Sequence, residues 1–201
     1  MDHFDFKAKI VENNLNSFNV RDEFKNLSIE EIRQYQPKNG FAVCLINILG
    51  DLNVGTIIRS AVLFGADKVY LAGRRKWDRR SCVGAQNYID IEMIDSFDES
   101  IDDMIQYDMI HNVLKKDGWE IVCAETGGKS IQKYMIDRQF AFVKTKPCFV
   151  FGSEGFGIPQ SFLDKPDHIV MVDQPGVMRS LNVASAASIF MYEFSKNVKE
   201  I

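Results

Sequence analysis

The stretch FAVCLINILGDLNVGTIIRSAVLFGADKVYLA, residues 41–72, decides the fold. FAVCLIN (41–47) is a continuous apolar run of strand length, and KVYLA (68–72) is a second. Between them Val54, Ile57, Ile58 and Ala61 recur at helical spacing, which predicts a helix near 53–64 with Asn53 as its cap. Strand, helix, strand is the unit of a parallel sheet, because parallel neighbours need a long crossover between them.

The same alternation continues outward. Strands are expected near 88–94, 119–124 (WEIVCA), 147–152 and 168–172 (HIVMV), and helices near 98–116, 159–164 and 181–196. The chain therefore reads as α/β, with a mostly parallel sheet flanked by helices. Residues 1–39 are different: polar, Asn-rich, with a capping box in Ser28-Ile29-Glu30-Glu31 and a stop at Pro37-Lys38-Asn39-Gly40. They are expected to form a short helical N-terminal extension before one domain over residues 40–201.

Composition narrows the class. A hydrophobic share of 46% with 26% charged residues is that of a globular chain. No apolar run approaches the roughly 18 residues needed to cross a bilayer, and MDHFDFKAKI lacks the apolar stretch of a signal peptide, so a cytoplasmic protein without a membrane partner is expected. Cys44, Cys82, Cys123 and Cys148 show no CxxC spacing, which argues against zinc, any other metal, or a disulfide framework.

The net charge of −4 disfavours a polyanion only if charge is evenly spread, and it is not. Segment 74–80, RRKWDRR, holds five Lys/Arg around Trp77, whereas 81–114 has eight acids and no Lys or Arg. Arg74, Arg75, Trp77, Arg79 and Arg80 are thus candidates for binding RNA through one basic face. The plain alternatives are a solvated loop, or pairing of these arginines with the acids of 90–108.

Three loops carry candidate chemistry, each following an apolar strand. The first is Asn53-Val54-Gly55-Thr56-Ile57-Ile58-Arg59, where Arg59 lies off the apolar stripe. The second, FGSEGFGIP (151–159), sets glycines around Glu154, which permits a tight turn and a close backbone approach to a ligand. Its G-x-x-G-x-G spacing, followed by Pro159, does not fit a dinucleotide loop with Asp173 as ribose partner. The third is QPGVMRSLNVASAASIFMYEF (174–194), a polar turn crowded with Gln174, Arg179, Ser180 and Asn182 that opens into a helix of small residues. Ser180 is a good N-cap there. Parallel strands end at one sheet edge, so the three loops could meet.

Together these motifs resemble the SpoU (TrmH-type) branch of the SPOUT RNA methyltransferases, over about residues 41–196. The matching residues are N-x-G-x-x-x-R at 53–59, F-G-S-E-G-x-G at 151–157 and S-L-N-V-A at 180–184. Ser81-Cys82-Val83-Gly84-Ala85 resembles a family turn, and Ala124-Glu125-Thr126-Gly127 the loop after its fourth strand. The resemblance implies a SPOUT fold with a C-terminal trefoil knot, a homodimer, S-adenosyl-L-methionine as cofactor, and methyl transfer to a ribose 2′-hydroxyl of RNA. It implies cofactor contacts from Ala124, Glu125, Thr126, Gly127, Gly152, Ser153, Gly155, Val172, Gln174 and Leu181. It makes Arg59 the catalytic arginine, with Asn53, Glu154, Ser180 and Asn182 as the other polar groups of the site, and adds Arg179 to the RNA-binding set. The extension is too short for a separate RNA-binding domain, and GVMRSLNV resembles members acting on the D-loop guanosine, so tRNA is expected ahead of rRNA. The competing reading from another class is a non-catalytic RNA-binding protein of the same fold.

Overall fold

The computed structural model describes residues 19–73, 77–94, 103–138 and 145–198. Helix α1 (Ile29–Tyr35) opens on the expected capping box: the Glu31 amide donates to Ser28 Oγ at 3.2 Å, and the Ser28 amide to the Glu31 carboxylate at 2.7 Å. Gln36 Nε2 donates to the Val62 carbonyl at 2.6 Å and Asn39 Nδ2 to that of Phe64 at 2.8 Å. These bonds tie this part of the extension to the end of a helix in the main domain.

That domain runs β1 (Ala42–Ile46), α2 (Asp51–Phe64), β2 (Lys68–Ala72), β3 (Asp90–Ile94), α3 (Asp103–Lys116), β4 (Trp119–Ser130), α4 (Ile131–Arg138), β5 (Lys146–Phe151), α5 (Gln160–Leu163), β6 (His168–Met171) and α6 (Val183–Val198). The six strands form one sheet in the order β3-β2-β1-β5-β4-β6, and every pairing is parallel. Alternation along β1 sorts its side chains into two cores. Phe41, Val43 and Leu45 join α2, α4 and α6 on one face, while Ala42, Cys44 and Ile46 join Ile110 and Leu114 of α3 and Phe162 of α5 on the other. The expected α/β sheet flanked by helices is thus present.

Four boundaries differ from the sequence expectation. Helix α2 starts at Asp51 because Gly50, at φ 83°, supplies the N-cap, so Asn53 is not the cap but a first-turn residue whose side chain is free to point elsewhere. Helix α6 starts after Asn182 rather than Ser180, since Asn182 Oδ1 accepts the amides of Ala184 and Ser185 at 2.9 and 3.2 Å. In β4, Ala124 and Lys129 both pair with Val170, so residues 125–128 leave the ladder and the strand then resumes. Helix α4 was not expected; only Ile131, Tyr134 and Met135 of its eight residues are buried, too brief a stripe to register as a period.

Packing explains the glycine of the first motif. The short turn Arg79–Cys82 lies directly against α2, and a Cβ on Gly55 would stand 2.4 Å from the Ser81 carbonyl carbon. The obstacle is backbone, which cannot rotate away. Gly55→Ala is therefore expected to destabilise the protein by about 1–3 kcal/mol or more, with no rescue by Ser81→Gly, as read by urea denaturation.

Candidate functional site

All six strands end at one edge of the sheet, and the direction of winding switches between β1 and β5, where a crevice forms in such folds. The loops after β1 and β5 meet there. Asn53, in the first turn of α2, donates its Nδ2 to Glu154 Oε1 in the loop after β5. Asn182 donates its Nδ2 to Asn53 Oδ1 at 3.2 Å, while its own Oδ1 caps α6. One side-chain chain, Asn182 to Asn53 to Glu154, thus joins all three motifs.

Glu154 also lines a cleft of about 430 Å³. Ala124, Glu125, Thr126, Gly152, Ser153, Val172, Gln174 and Leu181 of the expected cofactor set line it, together with Glu154, Arg179 and Ser180. Gly127 and Gly155 do not reach its wall. Ser180 is exposed and makes no hydrogen bond among the described residues. Phe156 and Gly157 of the 151–157 motif line the cleft too, whereas sequence reasoning missed Val170, Met171, Ala186 and Phe190. Ala186 and Phe190 could have been found, being four apart on the small-residue helix.

The backbone of the second motif is held closely. A Cβ on Gly152 would sit 2.1 Å from the Gly157 carbonyl, because the chain turns back on itself there. Glu125 fixes the neighbouring loop: its carboxylate accepts the Thr126 amide at 2.9 Å and the Ile158 amide at 3.4 Å. Burial, reinforced by the Glu125 and Asp167 carboxylates, pushes the Cys123 thiol up to about 12, so it stays protonated and unreactive. Among the described residues, no group of three or more His, Cys, Asp or Glu is placed to hold a metal, and no helix is long and apolar enough to cross a membrane.

Arg59 stands outside the cleft. It is exposed on α2, six residues or about 9 Å along the axis from Asn53, and no carboxylate pairs with it among the described residues. Of the basic segment, Arg74 and Arg75 lie outside the described residues. Arg79 is exposed without an ion pair there, whereas Arg80 is committed to Asp78 at 2.7 Å. Trp77 is half-buried and packs on the core, which gives its ring a packing task rather than an open face. The described acids nearby take other partners: Asp90 pairs with Arg33, Glu92 with Lys68 and Asp108 with Lys165.

A parallel sheet with a cleft at its carboxyl edge defines the broad class of ligand-binding α/β proteins. Within it, the model of the SpoU rRNA Methylase family matches residues 40–192, and the chain belongs to that family. A Borreliella burgdorferi protein described as an uncharacterized tRNA/rRNA methyltransferase is 26% identical, covering 98% of this chain and 81% of its own length. An Archaeoglobus fulgidus protein of the same description is 27% identical over 78% of this chain and 64% of that protein, so the chain spans just under two thirds of it. The tRNA (guanosine(18)-2′-O)-methyltransferase of Saccharomyces cerevisiae matches at 32% over 40% of this chain and 5% of its own. Among solved structures, the A. aeolicus TrmH/SpoU tRNA modifying enzyme superimposes with TM-score 0.66 at 19% identity, covering 86% of this chain and 83% of that one. The AdoMet-bound rRNA methyltransferase from Sinorhizobium meliloti gives 0.62 at 24%, over 82% and 59%. These likenesses agree with the SPOUT fold.

Asn182 does two jobs that substitutions separate. Asn182→Ala is expected to lower stability by about 0.5–2 kcal/mol through loss of the cap, and Asn182→Asp to keep most of it, because only the accepting oxygen serves the helix. Denaturant titration of both variants checks this; equal losses would contradict the cap assignment.

Proposed function

We propose that this chain is an S-adenosyl-L-methionine-dependent RNA 2′-O-ribose methyltransferase whose substrate is tRNA, with the D-loop guanosine as the first candidate nucleotide. The observation that carries the reading is the Asn182–Asn53–Glu154 chain, which reaches through Glu154 to a cleft of about 430 Å³, a volume within the usual range for a cofactor site. Phe190, Val170 and Leu181 give it apolar walls for an adenine. The Glu125 and Glu154 carboxylates suit a cationic sulfonium. When bound, S-adenosyl-L-methionine supplies an electrophilic methyl group. The tRNA assignment draws on the names of the S. cerevisiae and A. aeolicus relatives; the S. meliloti neighbour supports rRNA as the alternative. The cytoplasm is the compartment that goes with this reading.

The protein's part in the reaction is positioning. The Asn182–Asn53–Glu154 chain fixes the three loops against one another, so the ribose hydroxyl meets a preset geometry. Ser180, with its hydroxyl unengaged at the cleft, is available to the substrate. A guanidinium stays protonated below a pH of about 12 and cannot accept the hydroxyl proton. Arg59 instead binds the phosphate beside the target ribose and orients its hydroxyl, with the proton passing to phosphate or solvent. Arg179 and the arginines of 74–79 extend the cationic surface for the rest of the RNA.

Helices α2 and α6 support the homodimer of this reading. Their contact runs from Asn53–Asn182 through Ser60–Ser188 at 2.9 Å to Phe64–Tyr192 at 6.1 Å. Beside that seam Leu52, Leu63 and Tyr192 stay 79%, 70% and 52% exposed, an apolar stripe with Arg59 in its middle. A second copy covering this stripe would bring Arg59 to the interface. The trefoil knot in the C-terminal part of the domain belongs to the same reading.

Incubation with labelled S-adenosylmethionine and total tRNA or rRNA, followed by alkaline digestion, is the direct test: a methyl on a ribose blocks cleavage of the next phosphodiester, and absence of label in both RNAs would reject the function. Arg59→Ala is expected to abolish transfer while calorimetry with S-adenosylhomocysteine shows affinity within a few-fold of wild type. Leu63→Asp is expected to yield monomers in light scattering, since burying an unpaired charge costs more than such an apolar contact returns.

A further inference from the structure

Phe156 is 91% exposed, the most exposed aromatic ring among the described residues, yet the turn beneath it is firmly held. Ser153 and Gly157 form an antiparallel bridge, with the Gly157 amide donating to the Ser153 carbonyl at 2.7 Å. The Phe156 amide itself donates to Ser153 Oγ at 3.3 Å, and Ser153 is buried. On one side Glu154 is bonded to Asn53; on the other the Ile158 amide is bonded to Glu125. Both neighbours of Phe156 are glycines, and nothing lies within 4 Å of where a Gly155 side chain would project. The ring is therefore presented from a fixed backbone with no adjacent side chain to cover its faces.

Its position gives the exposure a use. Phe156 lines the cleft that also holds Arg179 and Ser180, and its exposure sets the ring on the solvent side of that cleft. Arg179, in the lining of the same cleft, is exposed and has no carboxylate partner among the described residues, so it offers a cation to the phosphate of a docked nucleotide. We propose that Phe156 is the stacking platform for a base of the RNA substrate at the cleft mouth, a positioning residue for methyl transfer. This rests on the methyltransferase reading above. A flat ring with open faces beside a cation suits a nucleobase next to its phosphate, and the pinned turn means that little order is lost when the base docks. A second copy of the chain is the other occupant to weigh, but the exposed stripe of α2 and α6 is the surface already proposed for self-association.

The test is steady-state methylation of the RNA that wild type modifies, with Phe156→Leu, Phe156→Ala and Phe156→Trp. Leucine keeps the apolar bulk and removes the π-face. The Leu and Ala variants are expected to raise the KM for RNA about 10- to 100-fold, and Trp to restore it to within about three-fold of wild type, the range expected for one stacked base. S-adenosylhomocysteine affinity by calorimetry and mass by light scattering should not change in any variant. A Leu variant with wild-type KM overturns the platform, as does a loss that falls on cofactor affinity or on oligomeric state. If wild type transfers no methyl to any RNA, the function fails and the platform with it; if wild type transfers and the variants match it, only the platform fails.

Discussion

The docking of α6 across β1 and β5 is the constraint on which the rest of the site depends. Phe190 and Phe194 set their rings against Phe149 at 5.5 and 5.6 Å, Phe194 against Phe41 at 5.1 Å, and Phe190 against Phe151 at 5.5 Å. Tilted and edge-on contacts of this kind fix orientation as well as depth. Small residues on the opposite side let α2 lie close, so Ser60 meets Ser188 and the helix starts come together. Asn182 then reaches Asn53 only because both helices begin at the same sheet edge. Loosening the aromatic seat would displace the cap, the hydrogen-bonded chain and one wall of the cleft at once.

The fold was largely legible because alternation of strand and helix is written in local periodicity, and parallel strands leave few topologies. The convergence of the three motifs was legible for the same reason: strands that run one way end on one edge. The order β3-β2-β1-β5-β4-β6 was not, since nothing local states which strand neighbours which. Two asparagines near helix starts show the limit of a residue-type argument. Both were read as site residues and Asn53 also as a cap; in the structure Asn182 is the residue that caps a helix, and Asn53 is not a cap. The difference lies in Gly50, whose positive φ lets α2 begin two residues earlier and releases the Asn53 side chain for Glu154. Trp77 is a similar case, since a tryptophan among arginines reads as a stacking group and only the three-dimensional contact reveals its seat on the core.

Charge pairing explains how a chain of net charge −4 can offer a basic mouth. Acids far from the cleft hold cations far from the cleft: Asp90 with Arg33, Glu92 and Asp117 with Lys68, Asp108 with Lys165. Each such exposed pair contributes little stability, on the order of 0–1 kcal/mol, so its larger consequence is for the field. Local neutralisation cancels the acidic bulk at distances beyond a Debye length, about 8 Å at physiological salt. Arg59, Arg79 and Arg179 are left uncancelled among the described residues, on the motif-one helix, the turn packed against it and the segment leading to α6. The acids at or beside the cleft are engaged by neutral donors: Glu154 by Asn53, Glu125 by the backbone of Thr126 and Ile158, and Asp173 by Ser130. The arrangement separates two electrostatic tasks within a short distance, negative charge lining the cleft where a cation would sit and positive charge outside it where a phosphate chain would run.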